Sequence, residues 1–297
     1  MLSAALGVIL SISMLISTLP ITAFATEVGA GNGGGEMPTG DVAAFEATGD
    51  GTEANPWKIS DVDSLYAFAS MLNNENNGYC GRIFELTADI TMPEGSVWYG
   101  IREFNGTLKG NGHTIRNLTI TSNGSGNVGF IKNTLDFGTT ITDLNFSDVT
   151  LSVDHSCSAG VLVGSAYYIA VSGCNVVGTV TASTDNFSSI GGLIGSVDSV
   201  CRISNSTYSG AITLGNGTAG GLVGIAGSQG YINSCVTKGS ITSGNGNVGG
   251  LVGRIFDTRR DDVSLSIYNN RNELNINSEG CAGGLVGELD IGGYSTE

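Results

Sequence analysis

The sequence predicts an all-β chain wound as a right-handed parallel β-helix (solenoid), with a short helix covering its N-terminal end. Three observations predict it. A glycine-rich motif recurs as "SAGVLVG", "SIGGLIG", "TAGGLVG", "NVGGLVG" and "CAGGLVG", ending at Gly164, Gly195, Gly224, Gly253 and Gly287 with spacings of 31, 29, 29 and 34 residues. A second ladder of similar period but different phase places Ile115, Ile141, Val171, Ile203, Ile232 and Ile267 at its apolar marker. A third short segment follows as "GTVTAS" from Gly178, "GAITLG" from Gly210 and "GSITSG" from Gly239. Each repeat therefore holds about three strand-like pieces separated by Gly, Asn and Ser turns, without helical periodicity. One repeat makes one triangular turn, and equivalent residues of successive turns stack about 4.8 Å apart. Parallel crossovers take the right-handed sense.

The elements follow in order. Residues 1–25 are apolar and uncharged and end in Ala23-Phe24-Ala25, so they read as a signal peptide cleaved after Ala25, although the usual basic start is missing. Residues 26–48, rich in glycine, read as a flexible linker. Residues 49–126 hold the cap and the first strands: in "NPWKISDVDSLYAFASMLNN", Ser60 and Asp63 resemble a capping box, and Leu65, Phe68, Ala69 and Leu72 share one helical face. Such a helix would cover bare strand edges. Residues 127–297 form the repeat coil, in which Leu162, Leu193, Leu222, Leu251 and Leu285 make one apolar column begun by Phe130. Strand alternation puts Leu222 and Val223 on opposite faces and leaves open which one is inside. The last motif is followed by no capping segment, so the coil is expected to continue beyond Glu297.

Composition narrows the function. The 297 residues include 47 glycines but only 4 prolines and no glycine at every third place, which excludes a collagen-like rod. Charged residues make up 13%, so Ser, Thr, Asn and Gly must build much of the surface, as suits an exported protein. A net charge of −15 opposes nucleic-acid binding. Six cysteines at 80, 157, 174, 201, 235 and 281 show neither CxxC nor His-paired spacing, against zinc or redox chemistry. Cys174 and Cys235 fall at the ladder position of Leu118, Leu144 and Ser206 and read as buried apolar residues, with a disulfide between Cys157 and Cys174 or another pair open to an exported chain.

Chemistry-bearing patterns are few. "GSGNVG", "GNGTAG" and "GNGNVG" match the dinucleotide fingerprint, but each precedes a strand rather than opening a helix, so no nucleotide or other cofactor is expected. Asp143, Asp148, Asp154, Asp185 and Asp198 fall in different phases of the repeat and read as turn or solvated residues rather than a catalytic set. His113 and His155 lack partners at ligand spacing, so neither a metal nor a catalytic site is assigned. One irregular insertion, "RIFDTRRDDVSLS", stretches the ladder spacing to 35 residues, which makes Arg259, Arg260, Asp261 and Asp262 the candidate binding loop.

The run "GTEANPWKIS", a helix, "FELTADITM", "FNGTLKGNGHTIRNLTI" and then serial GGLVG motifs resembles the GLUG-motif proteins of bacterial cell surfaces over residues 49 to 287. Val161 and the weak "GFIKN" depart from the motif. The resemblance implies a secreted or wall-attached β-helical stalk or adhesin-like module, in some cases ahead of further domains in large surface proteins that include immunoglobulin A peptidases. It carries over no catalytic residue. The expected function is therefore non-enzymatic display or adhesion toward a glycan or host surface protein, with no membrane contact after signal cleavage. The alternatives are a polysaccharide lyase or hydrolase and a non-catalytic piece of a larger surface enzyme.

Overall fold

The computed structural model describes residues 48–74, 80–122, 124–135, 138–183, 188–257 and 264–291. The expected signal peptide and nearly all of the linker lie outside them. The described chain is a parallel β-helix of about seven turns carrying one short helix. Its strands fall into three parallel sheets of 13, 8 and 5 strands, here sheets A, B and C. One turn shows the plan: Ser188–Gly191 in sheet C, Ile194–Ser204 in sheet A, then Thr207–Leu214 in sheet B.

The corner from sheet A to sheet B requires a left-handed backbone. Asp143, Gly173, Asn205, Ser234 and Asn269 have φ of 51°, 66°, 49°, 54° and 56°. Short polar residues and glycine tolerate that region best. The amides of Asp143, Gly173, Asn205 and Ser234 are each tied to the following turn, as in Asn205 N–H to the Asn233 carbonyl at 3.1 Å. The next residue points inward, giving a column of Leu144, Cys174, Ser206 and Cys235, each fully buried. The Ser206 hydroxyl donates to the Ser204 carbonyl at 2.8 Å and accepts from the Cys174 amide at 3.2 Å, which satisfies a polar group inside the core.

Register corrects the ladder at its first step. Ile141 pairs with Val171, then Ile203, Ile232 and Ile267, but its partner in the preceding turn is Leu108. Ile115 pairs instead with Phe146 in sheet B. Leu118 likewise leaves the Leu144 column, because its carbonyl accepts from Thr150 one strand further on. "TIRNLTI" and "TITDLNF" look alike because both are short strands with an inward isoleucine; only pairing separates them. The third segment stacks as its spacing predicts, Gly178 on Gly210 on Gly239.

The corner from sheet C to sheet A is built by the repeated motif. Leu222 and Val223 are both fully buried, although consecutive residues of a flat strand face opposite ways. A bend between the strands resolves this: both amides point the same way and share the Leu251 carbonyl, at 2.9 and 3.0 Å. The Leu193, Leu222 and Leu285 carbonyls each accept two amides in the same manner. Glycine at the motif's end answers to close approach. A Cβ on Gly224 would lie 2.6 Å from both the Ile190 nitrogen and the Gly195 oxygen of the preceding turn. Leu162, Leu193, Leu222 and Leu251 are fully buried, but Leu285 is 46% exposed, a correction to the predicted five-residue core column. Among the described residues no further turn lies over it.

The helix Val62–Asn74 buries Leu65, Phe68, Ala69 and Leu72 against the first turns, with Phe68 packed on Phe84 and Phe104. Its cap sits one residue later than the sequence pattern suggests. The Asp61 carboxylate accepts the Ser64 amide at 2.8 Å while the Ser64 hydroxyl accepts the Asp61 amide at 3.0 Å. That reciprocal pair replaces Ser60 and Asp63, because the helix begins at Val62 and the capping carboxylate must precede it.

Candidate binding face

Sheet A slips register or is interrupted at the same point in successive turns, and the irregular residues collect there. Ala166 pairs with Val197 and Tyr168 with Val200, so Tyr167 stands opposite both Asp198 and Ser199, as in a β-bulge. In the next turn Ser228 occupies the junction, between the strands Val223–Gly227 and Gln229–Asn233. One turn later it falls between Val252–Asp257 and Ser264–Tyr268. The insertion predicted from spacing enters here. Arg259, Arg260, Asp261 and Asp262 themselves lie outside the described residues.

Beyond the junction, the outer surface of sheet A carries a group that the sequence reading did not single out. Ile169, Cys201, Ile203 and Ile232 point into the core, so their strand neighbours point out. In register, Ala170, Arg202, Tyr231 and Ser266 form one outward column. Ser172, Ser204, Asn233 and Tyr268 form the next. Tyr168 lies on the same face and its ring meets Tyr167 edge-on, with centroids 5.0 Å apart. Tyr268 is 47% exposed, and its hydroxyl oxygen accepts from the Asn233 amide at 2.6 Å. Arg202 is exposed, and its guanidinium makes no hydrogen bond or ion pair among the described residues. The face thus carries aromatic rings, a guanidinium and side-chain amides, groups that can stack and hydrogen-bond. The signal lay in the residues flanking each isoleucine marker, "RI" at 202–203, "YI" at 231–232 and "IY" at 267–268.

The titratable groups elsewhere hold the structure. Asp89 accepts from the Thr114 amide and from Arg116 and faces the His113 ring; these contacts hold its carboxyl below the usual range, the Thr114 bond foremost. Ser122 donates to Asp154 at 2.7 Å, and the two nitrogens of His155 face Asp154 and the Gly126 carbonyl. The aspartate thus stands between serine and histidine, so the imidazole cannot take the serine proton as a nucleophilic site requires. Asp143 is a left-handed turn residue, Asp148 an exposed left-handed residue at a register shift inside the strand Asn145–Val153, and Asp185 lies outside the described residues. Asp198 at the junction is held above the ordinary carboxyl range by desolvation. Arg254 pairs with Glu288 at 2.9 Å and with Asp290. Among the described residues no group of three or more His, Cys, Asp or Glu side chains could hold a metal ion.

All six cysteines are free thiols, so neither Cys157 and Cys174 nor another pair is bridged. Burial pushes Cys174 and Cys201 up to about 12, and Cys157 and Cys235 up to about 11. Thiols of that kind are core filler, because the thiolate is the reactive form.

No family model matches the chain. It is 30% identical over 178 residues to Halomucin of Haloquadratum walsbyi, a match covering 57% of this chain and 2% of that protein. In structure it resembles a "putative immunoglobulin A1 protease" from Bacteroides ovatus, with a TM-score of 0.65 and 21% identity over 82% of this chain and 76% of the other. A second solved structure, "IgA1 Protease", aligns with a TM-score of 0.55 and 16% identity over 77% of this chain and 20% of its own. At such identities the two structures establish a shared β-solenoid fold, and the chain spans a small fraction of the curated relative it matches.

Proposed function

We propose that the chain is an exported, non-enzymatic β-helical module of a cell surface, an adhesin-like stalk that displays a binding face toward a glycan or host surface protein. The observation that carries the reading is the tyrosine-bearing outer face of sheet A, held on a frame in which four successive corners, at Asp143, Gly173, Asn205 and Ser234, are pinned by the same backbone bond. Binding faces set on rigid elements lose little entropy on association. The motif resemblance to GLUG surface proteins and the match to 2% of Halomucin both suit a module set within a longer chain. The leader-like residues 1–25 suit export, with cleavage after Ala25.

The test is attachment of the labelled purified chain to epithelial cells. Saturable attachment that falls when Tyr231 and Tyr268 are both changed to alanine supports the reading, and attachment no greater than that of an unrelated acidic protein would overturn it.

The solved neighbours named as IgA1 proteases favour a second reading, in which this coil is a non-catalytic piece of a larger surface peptidase. Incubation with immunoglobulin A1 separates that from an enzyme complete in itself. Intact heavy chain is the expected outcome, and cleavage that tracks the purified chain would reject both non-enzymatic readings.

A further inference from the structure

We infer that the outer face of sheet A around Arg202, Tyr231 and Tyr268 binds an oligosaccharide bearing a single carboxylated sugar. The inference rests on the binding-module reading and names its ligand class. Arg202 and Tyr231 are register partners on adjacent strands, so their Cα atoms stand about 4.8 Å apart along the coil. Tyr268 lies one turn further and two residues along, which spreads the three side chains obliquely over about 12 Å, the reach of two or three sugar rings. Tyrosine rings present flat apolar surface to the C–H face of a pyranose and a hydroxyl to its rim. Asn233 fixes one of them by holding the Tyr268 hydroxyl at 2.6 Å.

Charge selects among saccharides. A guanidinium presents a fork that matches a carboxylate with two parallel hydrogen bonds. Arg202 is exposed and makes no ion pair among the described residues, whereas Arg116, Arg254 and Arg271 are each engaged by carboxylates. One such cation on the face provides for one carboxylate. The remaining ligand surface must be neutral, since a chain carrying −15 repels a polymer with an acid on every sugar.

The experiment titrates the full chain with sialyllactose, lactose and oligogalacturonate. Sialyllactose is expected to bind, lactose about tenfold more weakly, and oligogalacturonate no better than lactose. Arg202→Ala should bring sialyllactose down to the lactose level, Arg202→Lys should retain part of the preference, and Tyr231→Ala should weaken both sugars. All three positions face outward, and an unchanged far-ultraviolet spectrum verifies the fold of each variant. Equal binding of sialyllactose and lactose, indifference to Arg202→Ala, or tighter binding of oligogalacturonate would each overturn the inference. If no saccharide binds yet attachment to cells is lost in the double tyrosine variant, the ligand class falls and the binding-module reading stands. Loss of both signals in the wild-type chain overturns both.

Discussion

The indole of Trp98 lies nearly parallel to the ring of Phe130, with centroids 5.0 Å apart and planes 7° from parallel, and its Nε1–H donates to the Phe130 carbonyl at 3.0 Å. Two residues from successive turns are thus joined by stacking and by a buried hydrogen bond. Trp98 is fully buried, and Phe130 begins the apolar column that the motif leucines continue. Replacing Trp98 with alanine is expected to cost about 3–5 kcal/mol through the cavity it leaves. Trp98→Phe should cost less, about 1–3 kcal/mol, because a six-membered ring is kept for stacking and the Phe130 carbonyl, although it loses the indole donor, still accepts the Ile101 amide at 3.0 Å. Urea midpoints of the two variants check the order, with an unchanged slope showing that the folded state is retained.

The motif glycines should divide by what surrounds them. Gly224→Ala forces a methyl group into backbone atoms 2.6 Å away, and about 1–3 kcal/mol of destabilisation is expected. Gly284, from the last motif, has nothing within 4 Å of an added Cβ, so Gly284→Ala should leave the melting temperature unchanged within error. Calorimetry of the pair separates a close-contact role from mere flexibility, since greater backbone freedom alone would make the two respond alike.

The helix cap offers a direct comparison of neighbouring residues. Asp61→Ala removes the acceptor of the Ser64 amide and should cost about 1 kcal/mol, while Ser60→Ala should change little. Hydrogen bonds from Ser64 also hold the Asp61 carboxyl below its ordinary value. Its contribution is therefore present above the unfolded carboxyl pKa and fades as pH falls through the lower folded value. The stability difference between wild type and Asp61→Ala, followed from pH 6 downward, should shrink toward zero.

Thiol chemistry should report burial. At pH 8 under native conditions, iodoacetamide should label exposed Cys80 and Cys281 and leave Cys157, Cys174, Cys201 and Cys235 unmodified until urea is added. Because Cys174 and Cys201 are pushed from 9.0 up to about 12, the folded state holds these protons more tightly than the unfolded chain. Stability should then decline as pH rises between those values, and Cys201→Ala should flatten the decline. Mass spectrometry checks the labelling, and urea melts between pH 8 and 11 check the slope.

Much of the architecture is legible in the residues themselves because a solenoid repeats one local solution. The motif endings at Gly195, Gly224 and Gly253 gave period and phase, and Leu108 displaces Ile115 only where the first turn departs from the later ones. The outer face of sheet A is less legible. Tyr231 and Tyr268 are unremarkable in sequence, and they come onto neighbouring strands only because Ser264–Tyr268 pairs with Gln229–Asn233, residue for residue at an offset of 35.

The amino-acid pattern by itself determined the parallel coil, its three-strand turn and the buried leucine column as far as Leu251, since period and apolarity are local properties read along one chain. Only the tertiary structure decided that Leu222 and Val223 both face inward, that the cap is Asp61 with Ser64, that Leu285 is exposed, and that Arg202 stands beside Tyr231. The inward pair and the Arg202–Tyr231 pairing depend on which backbone amide reaches which carbonyl in the adjacent turn, the cap on where the helix starts, and the exposure of Leu285 on there being no described turn over it. A bend or a one-residue slip moves a side chain from core to solvent without altering the pattern from which it was read.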